Sequence, residues 1–480
     1  MTISKTASKK YDAVIVGSGS NGIAAAIYLQ QQGLRTIIFE KSTLPGGATK
    51  TAEVTLPGFK HDLGSAVLPL AYSSPFFREL PLDKYGLEWI YPDIPFSQTL
   101  ENGRAVACYK DLDDTAAQLG RDAKSYINLI KPLVEKWDDI GEDVLGPLGL
   151  PAAPIPFVQF GLKSIPSAKF LANLLFKEQE TKSLFYGAAA HSTLPLTNLF
   201  SSSFGLVLSL MAHLNGWPFP KHGAGALVEA LLSYYRDLGG EIILNSEITK
   251  VSELPESKVQ IYDLTPRQIL QIEDLELSSG YRKRLENYKY GAGVFKIDWA
   301  LDGPIPFISD KCRRSGTIHI GFSPKEMEDS EQLTAEGKIP EHPYVLLVQP
   351  SVFDKTRAPG NKHTAWAYCH VPNGSEEDCT KIIEDQVEKA APGFKDLILD
   401  KSTMNTRELE IFDPNLVGGD INGGRQDITQ LFTRPVAKIS PYKTSNDKVY
   451  LCSSSTPPGG GVHGMGGYNA ARQVIKDHFG

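Results

Sequence analysis

Two glycine clusters at opposite ends of the chain constrain its fold more than any other feature. The first follows the apolar run 13–16 and contains Gly17, Gly19 and Gly22, and the second occupies 459–464, after the apolar run 449–452. A short β-branched run that ends in a glycine turn and continues as an alanine-rich stretch is typical of a buried parallel strand followed by a helix. We therefore expect both ends of the chain to belong to one α/β domain, with a ligand site between them.

The first cluster has the Gly-x-Gly-x-x-Gly spacing of a dinucleotide site. Gly17 and Gly19 permit a tight turn and a close approach of backbone to a pyrophosphate, and Gly22 lets the helix pack near the strand. The N–H groups at the start of that helix, from Ser20 onward, would face the phosphates. Glu40 ends the second strand, where a carboxylate can accept hydrogen bonds from ribose hydroxyls. The alternative is a glycine-rich turn without a ligand. The order of strand, helix, second strand and acid favours a dinucleotide, and the acid argues against a 2′-phosphate on its ribose.

A glycine pair after the second strand indicates which dinucleotide this is. Gly46 and Gly47 follow Glu40 and Lys41, and such a pair lets backbone lie flat against a second phosphate and a ribityl chain. Together with the runs 220–227, 239–245 and 459–472, these motifs resemble the FAD-containing amine-oxidase and phytoene-dehydrogenase superfamily. The resemblance covers nearly the whole chain and is closest to bacterial phytoene-dehydrogenase-like flavoproteins. Its motifs are specific for the FAD fold and much less so for the substrate.

The resemblance implies an α/β fold: a Rossmann-type FAD-binding domain with an inserted substrate domain, made of a mostly antiparallel sheet and a helical cap. We assign 1–72, 216–290 and 430–480 to the FAD-binding domain, and 73–215 and 291–429 to the substrate-binding or cap domain. Many members carry arginine after the glycine pair and an acid after the final strand, where this chain has Ala48 and the serines 453–454. The residues predicted to bind FAD are Gly17, Gly19, Ser20, Gly22, Glu40, Lys41, Gly46, Gly47, Ala48, Ser454, Gly459, Gly460, Gly461 and Val462.

Charge, cysteine and histidine content exclude several classes of protein. A net charge of −7 gives no reason to expect a nucleic-acid partner. The tail before Tyr11 lacks the apolar core of a secretory signal, so we expect a cytoplasmic protein. The five cysteines form no Cys-x-x-Cys pair, which excludes a redox-active disulfide of the glutathione-reductase kind. No metal site is expected, because His363 and His370 lie on a predicted strand, at its surface, and are too far apart to bind a metal alone.

A second nucleotide-binding module is not expected. Gly223 and Gly225 lack a third glycine, since Val228 stands in its place, and the segment before them is not a strand. The glycine-rich run 418–424 opens no clear helix, and we predict a loop near the flavin. Reduced nicotinamide would then have no Rossmann site of its own. We therefore expect the electrons of a bound flavin to go to an external acceptor such as oxygen or a quinone.

A long charge-free segment lies between Ser183 and Pro220. A transmembrane helix needs about 20 consecutive apolar residues, and Pro195 and the serines 201–203 interrupt this segment, so a span is not expected. Two interpretations remain open. The segment forms core helices of the cap, or it lines a tunnel for an apolar small-molecule substrate and also contacts the surface of a bilayer.

The chain offers no serine-hydrolase or zinc-protease motif, so the chemistry is expected to come from the flavin. The loop 459–464, ahead of a final helix from about Tyr468, would direct N–H groups toward the flavin and stabilise its reduced form. Two histidines are candidate catalytic residues. His463 lies in that loop, and His191 lies in the charge-free segment, where it could move a proton. The alternative for each, and for His213, is a structural role.

Three hypotheses for function follow. The first is desaturation of a long apolar isoprenoid, with carotenoid as an inference from the family. The second keeps the flavin without net oxidation, as cis–trans isomerisation of a polyene by the reduced cofactor. The third is a non-catalytic flavoprotein that acts in interaction or assembly. Flavin bleaching by substrate distinguishes the first from the others.

Overall fold

A computed structural model describes residues 10–480. The tail 1–9, on which the argument against a secretory signal rests, lies outside the described residues. The strands are β1 (Tyr11–Val16), β2 (Thr36–Phe39), β3 (Thr51–Glu53), β4 (Lys60–Asp62), β5 (Trp89–Ile90), β6 (Ile94–Thr99), β7 (Ala105–Cys108), β8 (Phe219–Pro220), β9 (Glu241–Ile243), β10 (Ser257–Tyr262), β11 (Gly293–Leu301), β12 (Ser315–Ile320), β13 (Val345–Val348), β14 (His363–Val371), β15 (Ile398–Met404) and β16 (Val449–Leu451).

The helices complete the element order. They are α1 (Ser20–Gln31), α2 (Pro69–Tyr72), α3 (Leu112–Ala116), α4 (Ala123–Glu135), α5 (Trp137–Val144), α6 (Pro154–Ser164), α7 (Ala168–Leu175), α8 (Gln179–Ala190), α9 (Ser201–Asn215), α10 (Gly225–Asp237), α11 (Pro266–Ile269), α12 (Ser279–Glu286), α13 (Asp310–Arg313), α14 (Pro324–Ala335), α15 (Thr380–Ala390), α16 (Thr406–Phe412) and α17 (Met465–His478).

A five-stranded parallel sheet joins the two ends of the chain. Its order is β16-β10-β1-β2-β9, and every neighbouring pair is parallel. The strand β1 is central because its side chains are buried on both faces, as a parallel sheet covered by helices requires. The predicted Rossmann-type α/β fold is confirmed, and β16 shares the sheet with β1 although they are separated by more than 430 residues.

A second, seven-stranded sheet is mostly antiparallel. Its order is β15-β11-β14-β13-β12-β6-β7, and the strands β12 and β6 form its parallel pair. The strands β11 and β14 pair over their full length, from Gly293 opposite Val371 to Leu301 opposite His363. The predicted antiparallel sheet between 291 and 371 is confirmed. Its strands fall within 73–215 and 291–429, while the strands of the parallel sheet fall within the three segments assigned to FAD; the exact domain limits stay predictions.

The charge-free segment 183–220 forms α9, most of α8 and the short strand β8. Both helices are largely buried, with Phe185, Leu206 and Met211 fully enclosed. They are therefore core helices of the cap. Within residues 10–480, no helix has the length and apolarity needed to cross a bilayer.

Two local expectations need correction. The last helix begins at Met465 rather than near Tyr468, because Gly464 adopts φ +69° and ends the glycine loop there. The strand β14 is buried on both faces, so His363 and His370 are not surface residues. Nδ1 of His370 lies 2.9 Å from a carboxylate oxygen of Glu331 on α14, which gives this buried histidine a partner.

Candidate functional site

A cavity of about 590 Å³ runs from the carboxyl end of the parallel sheet to the inner face of the antiparallel sheet. Its walls come from the turn after β1, the glycine pair, the end of β10, the segment after β16, and the strands β11–β14. The carboxyl ends of parallel strands are where α/β sheets bind ligands, because loops and helix N-termini converge there. The cavity therefore joins the predicted nucleotide site to the second sheet.

The turn between β1 and α1 leaves room for a ligand close to its backbone. Gly17 adopts φ +100°, and a Cβ on Gly47 would lie 3.2 Å from Cα of Gly19, so the two glycine motifs are in direct contact. The helix α1 begins at Ser20, and its N-cap residue, Gly19, has no side chain to cap the first turn. The first N–H groups of a helix beside a cavity suit a phosphate. The glycine Gly22 lies behind this wall and lets α1 approach the turn.

Glu40 lies at the cavity wall and holds the turn in place. One of its oxygens accepts hydrogen bonds from the Ser18 N–H at 2.9 Å and the Ser18 hydroxyl at 2.6 Å. The other accepts from the Ser42 N–H at 2.8 Å. Lys41 also lines the cavity, but its ammonium is paired with Glu247 at 2.8 Å in an exposed position. Glu40 therefore has protein partners on both oxygens and shapes the site as well as facing it.

A carboxylate that the motif analysis missed stands directly behind the phosphate turn. Asp263 follows β10, and its Oδ2 accepts a hydrogen bond from the Gly22 N–H at 2.9 Å. Burial raises its pKa to about 7, and the negative charges of Asp413 and Glu40 add to that shift. Its position, one residue past a strand adjacent to β1, is a sequence signal that could have identified it. The turn thus carries an acid that titrates near neutral pH.

A lysine lies close to the position after the glycine pair where many members of the resembled superfamily carry an arginine. Lys50, two residues after Ala48, is buried and lines the cavity. Its ammonium donates to Ser42 Oγ at 3.2 Å and lies 5.3 Å from the ring of Phe412. Burial raises the pKa of Asp413, and the charge of Lys50 opposes that shift. Lys50 is therefore a cation available to a second phosphate.

The C-terminal glycine loop contributes only part of the predicted wall. Ser454, Gly461 and Val462 line the cavity, together with Gly46 and Ala48 of the N-terminal motif. Gly459 and Gly460 lie behind that surface, since added Cβ atoms there would meet the side chains of Arg434 and Asn422. These two glycines support the loop rather than face the cavity.

His463 lies outside the cavity lining. Its Nδ1 accepts a hydrogen bond from the Met465 N–H at 3.1 Å, at the start of α17, and its carbonyl accepts from the Ser74 hydroxyl at 2.7 Å. Burial lowers its pKa to about 4, so the ring is neutral near pH 7. These contacts are those of a residue that holds the loop against the last helix.

The far end of the cavity is apolar and aromatic. Trp366 and Tyr368, alternate residues of β14, stack with ring centroids 5.7 Å apart and an interplanar angle of 18°. Leu208 of α9, Trp217 and Leu346 of β13 also line the cavity. Water would find few hydrogen-bond partners at this end, whereas a hydrocarbon chain would contact aromatic faces on several sides.

One buried cation lies at this apolar end. Lys296 of β11 lines the cavity, and its ammonium is hydrogen-bonded to Asp298, two residues along the same face of the strand. Asp298 Oδ1 lies 3.6 Å from His61 Nδ1. Burial and the charges of Lys296 and Arg357 lower the pKa of His61 to about 3. A lysine and an aspartate two residues apart in an otherwise apolar strand were a sequence signal that the motif analysis missed.

His191 lies in the cavity lining at the end of α8. Its Nε2 lies 3.0 Å from Nε2 of His319 on β12, and its ring is 5.7 Å from that of Trp217. The other ring nitrogen, Nδ1, has no hydrogen-bond partner among residues 10–480. Burial lowers the pKa of His191 to about 3, and burial also holds that of His319 well below its usual value. Both rings are therefore neutral near pH 7.

His213 has a different environment from His191. Its Nε2 lies 2.9 Å from the Tyr126 hydroxyl and 3.6 Å from the Cys108 sulfur, away from the cavity lining. This is a satisfied core histidine. Over the range 10–480, no group of three or more histidine, cysteine and acidic side chains could hold a metal ion.

The sequence is similar to a Rossmann-like family model and to several named oxidoreductases. A family model described as an NAD(P)-binding Rossmann-like domain matches residues 15–80. The rat protein named pyridine nucleotide-disulfide oxidoreductase domain-containing protein 2 is 28% identical, over 98% of this chain and 94% of its own. A lycopene-forming phytoene desaturase of Pseudescherichia vulneris is 22% identical, over 94% of this chain and 96% of its own.

Among solved structures, an oxidoreductase from Methanosarcina mazei has the same fold. Its TM-score is 0.66 at 14% identity, over 98% of this chain and all of that one. The resemblance noted from the glycine motifs is thus confirmed: residues 15–80 match a Rossmann-like domain, and the chain is similar along nearly its whole length to proteins named phytoene and carotenoid desaturases.

Proposed function

We propose that the protein is an FAD-dependent oxidoreductase that desaturates a long, apolar, isoprenoid-like substrate. The observation that carries this proposal is the continuity of one cavity, which begins at a phosphate-binding turn and ends on an aromatic floor. A dinucleotide held at the first end would place its reactive ring toward the second. The names of the desaturase relatives agree with this substrate class.

The residues of the site fit FAD. Two glycine motifs in contact with each other provide backbone for both phosphates, and Lys50 provides a buried positive charge. Glu40 would lie beside the ribose, and Ser454, Gly461 and Val462 would line the rest of the dinucleotide site. When bound, the flavin accepts a hydride from a substrate carbon.

The floor positions the substrate by shape. Trp366, Tyr368 and Leu346 offer flat and aliphatic surfaces without a charged group of their own, and close positioning of the reacting carbon is most of what hydride transfer requires. Among the described residues, the one charged group at this end, the Lys296 ammonium, is paired with Asp298, so the floor presents no unpaired charge to a neutral hydrocarbon.

His191 would take the proton that desaturation releases. Desaturation removes a hydride from one C–H bond, which a bound flavin would accept, and a proton from the neighbouring C–H bond, whose electron pair would form the new C=C bond. An allylic cation is a strong acid, so the weakly basic Nδ1 of His191 suffices as acceptor. His319 is a positioning residue, because the 3.0 Å contact between the two Nε2 atoms requires one ring to donate and the other to accept.

Re-oxidation would use an external acceptor. The described parallel sheet contains one Gly-x-Gly-x-x-Gly turn, at β1, and Gly223 and Gly225 instead pack against Thr51. We therefore propose oxygen or a quinone as the electron acceptor.

The test is anaerobic mixing of the purified, flavin-loaded protein with a panel of long polyenes that includes phytoene. We expect the flavin absorbance to bleach with one class of polyene and a product two hydrogens lighter. In His191→Gln the flavin content should be retained while the bleaching rate falls about 100-fold, and the exposed His342→Gln should behave as wild type. His319→Gln should keep the melting midpoint but move the acid limb of the pH profile of bleaching.

Other outcomes would support one of the two remaining hypotheses. A product of unchanged mass, formed only after the flavin has been reduced, would establish isomerisation. If the flavin does not bleach and the polyene is unchanged, the non-catalytic hypothesis is supported. A purified protein that contains no flavin would refute the proposal at its base.

A further inference from the structure

Two buried polar atoms behind the cavity wall lie close together without a hydrogen bond. They are Oε1 of Gln98, on β6, and Nδ1 of His319, on β12, and neither has a partner among residues 10–480. Both side chains are fully buried, and the two residues lie side by side where β12 pairs with β6. A buried polar atom without a partner costs free energy, so the closeness of two such atoms needs a physical reason.

The packing of α8 shows how near these atoms are to each other. A Cβ added to Gly187 would lie 2.3 Å from Oε1 of Gln98 and 2.6 Å from Nδ1 of His319. Glycine at this point of the helix therefore leaves room for both atoms in one small space. Around the rest of the His319 ring lie aromatic neighbours: Phe96, Trp217 and Tyr344.

The backbone sets the orientation of the Gln98 amide. Its Nε2 donates to the Gly321 carbonyl at 2.6 Å and to the Thr99 carbonyl at 3.2 Å. A carbonyl oxygen only accepts hydrogen bonds, so the reversed amide would place its own oxygen against two other acceptors. The amide oxygen is thereby held on the side of His319, where it too can only accept.

An acceptor beside Nδ1 decides which nitrogen of His319 carries the proton. Burial holds the pKa of His319 well below its usual value, so the ring is neutral and has one N–H group. A bare Nδ1 would oppose its lone pair to that of the amide oxygen in a buried environment, whereas a protonated Nδ1 turns a donor toward an acceptor. The proton therefore belongs on Nδ1, and Nε2 of His319 is bare.

This assignment fixes the proton of His191 as well. The two Nε2 atoms lie 3.0 Å apart, and a bare Nε2 on His319 can only accept, so His191 must donate through its own Nε2. The lone pair of His191 is then on Nδ1, the nitrogen without a partner in the described part of the chain. With the opposite arrangement, His191 would present an N–H group there and could not accept a proton.

From these contacts we propose that Gln98 is a positioning residue, which sets the tautomer of His319 and thereby leaves a basic lone pair on Nδ1 of His191. The inference rests on the proposed function, because a bare Nδ1 beside the cavity matters for catalysis only if a proton is delivered there. Gln98 itself lies outside the cavity lining. Its effect is carried to the cavity by two imidazole rings.

The test is nitrogen NMR of the flavin-loaded protein near pH 7, with histidine labelled at both ring nitrogens. Protonated and bare nitrogens of a neutral imidazole have well-separated resonances, so the spectrum reports each tautomer directly. We expect the proton of His319 on Nδ1 and that of His191 on Nε2. His191→Gln and His319→Gln, which each remove one ring, assign these signals among the ten histidines.

The variant Gln98→Met keeps most of the side-chain bulk and removes the amide oxygen. We expect the Nδ1 signal of His191 to move toward the protonated position, and flavin bleaching by the polyene to slow at least about twofold, because half or more of the molecules would carry the wrong tautomer. Gln349→Met is the matched control. Gln349 is also buried and donates to two backbone carbonyls of the same region, those of Cys312 and Ser315, but its loss should leave both tautomers unchanged.

A bare Nδ1 or a doubly protonated ring at His319 in the wild-type protein would overturn the proposal. Unchanged tautomers in Gln98→Met would also overturn it, and if that variant does not fold, the wild-type spectrum decides. The expected tautomers without bleaching by any polyene would count against the proposed reaction and leave the role of Gln98 in setting the tautomer standing. Bleaching together with the opposite tautomers would support the reaction and refute this inference.

Discussion

Asp263 should make cofactor affinity depend on pH. Its carboxyl lies behind the phosphate turn, hydrogen-bonded to the Gly22 N–H, and its pKa is raised to about 7. The group is neutral below that pH and negative above it. Two phosphate charges arriving beside it would disfavour the ionised form further, so a dinucleotide should bind the protonated protein better and take up a proton as it binds.

The size of the effect follows from the titration. At pH 6 about 90% of the free protein would carry the proton, and at pH 8 about 10%. If only the protonated form binds, the dissociation constant of FAD rises about tenfold between these pH values, or about 1.4 kcal/mol. Asp263→Asn keeps an oxygen for the Gly22 N–H but cannot ionise. We expect the variant to bind at pH 8 about as tightly as wild type does at pH 6.

The assay is titration of apoprotein with FAD, followed by flavin fluorescence, at several values between pH 6 and 8. The exposed Asp396→Asn, outside the cavity lining, is the control and should keep the pH dependence of wild type. The reasoning fails if wild type and Asp263→Asn show the same pH dependence. It also fails if wild type binds more tightly as the pH rises.

Three further results are expected. Gly22→Ala should abolish FAD binding and lower the melting midpoint, because the added Cβ would collide with the Gly17 carbonyl; normal flavin content would contradict this. The five cysteines are all buried, with the pKa of Cys312 raised to about 11 by burial, so a thiol reagent should leave the native protein unlabelled and modify every thiol after denaturation. Lys296→Met should destabilise the fold by about 3 kcal/mol by stranding a buried carboxylate; adding Asp298→Asn should restore part of that loss in urea unfolding, and no recovery would argue against their pairing.

Local patterns were sufficient for the nucleotide half of the molecule. A strand, a glycine turn and a helix are set by neighbours in sequence: β-branched residues fill a buried strand, and glycine alone tolerates the turn at Gly17. The same reasoning found the strands of the second sheet, because their apolar runs are separated by glycine and proline turns. Element boundaries were less certain, as the early start of α17 shows.

The functional side chains at the far end were harder to predict. His191 and His319 are 128 residues apart in sequence, and nothing near either of them indicates that their rings meet. Asp263 and Lys296 looked like ordinary polar residues until β10 and β11 placed them at the cavity. His463, which was chosen because it lies in the glycine loop, points toward the start of α17 instead.

The sequence by itself determined the Rossmann-type fold, the dinucleotide turn and the family resemblance, because each depends on residues within a few positions of one another. The tertiary structure decided which carboxylates and histidines share the cavity, which of the apolar helices are core, and which side of the cap faces solvent. Those features depend on contacts between distant segments, and burial then changes the pKa values of Asp263, His61 and His191. Residue types alone do not show which groups are buried, because burial depends on the contacts of the folded chain.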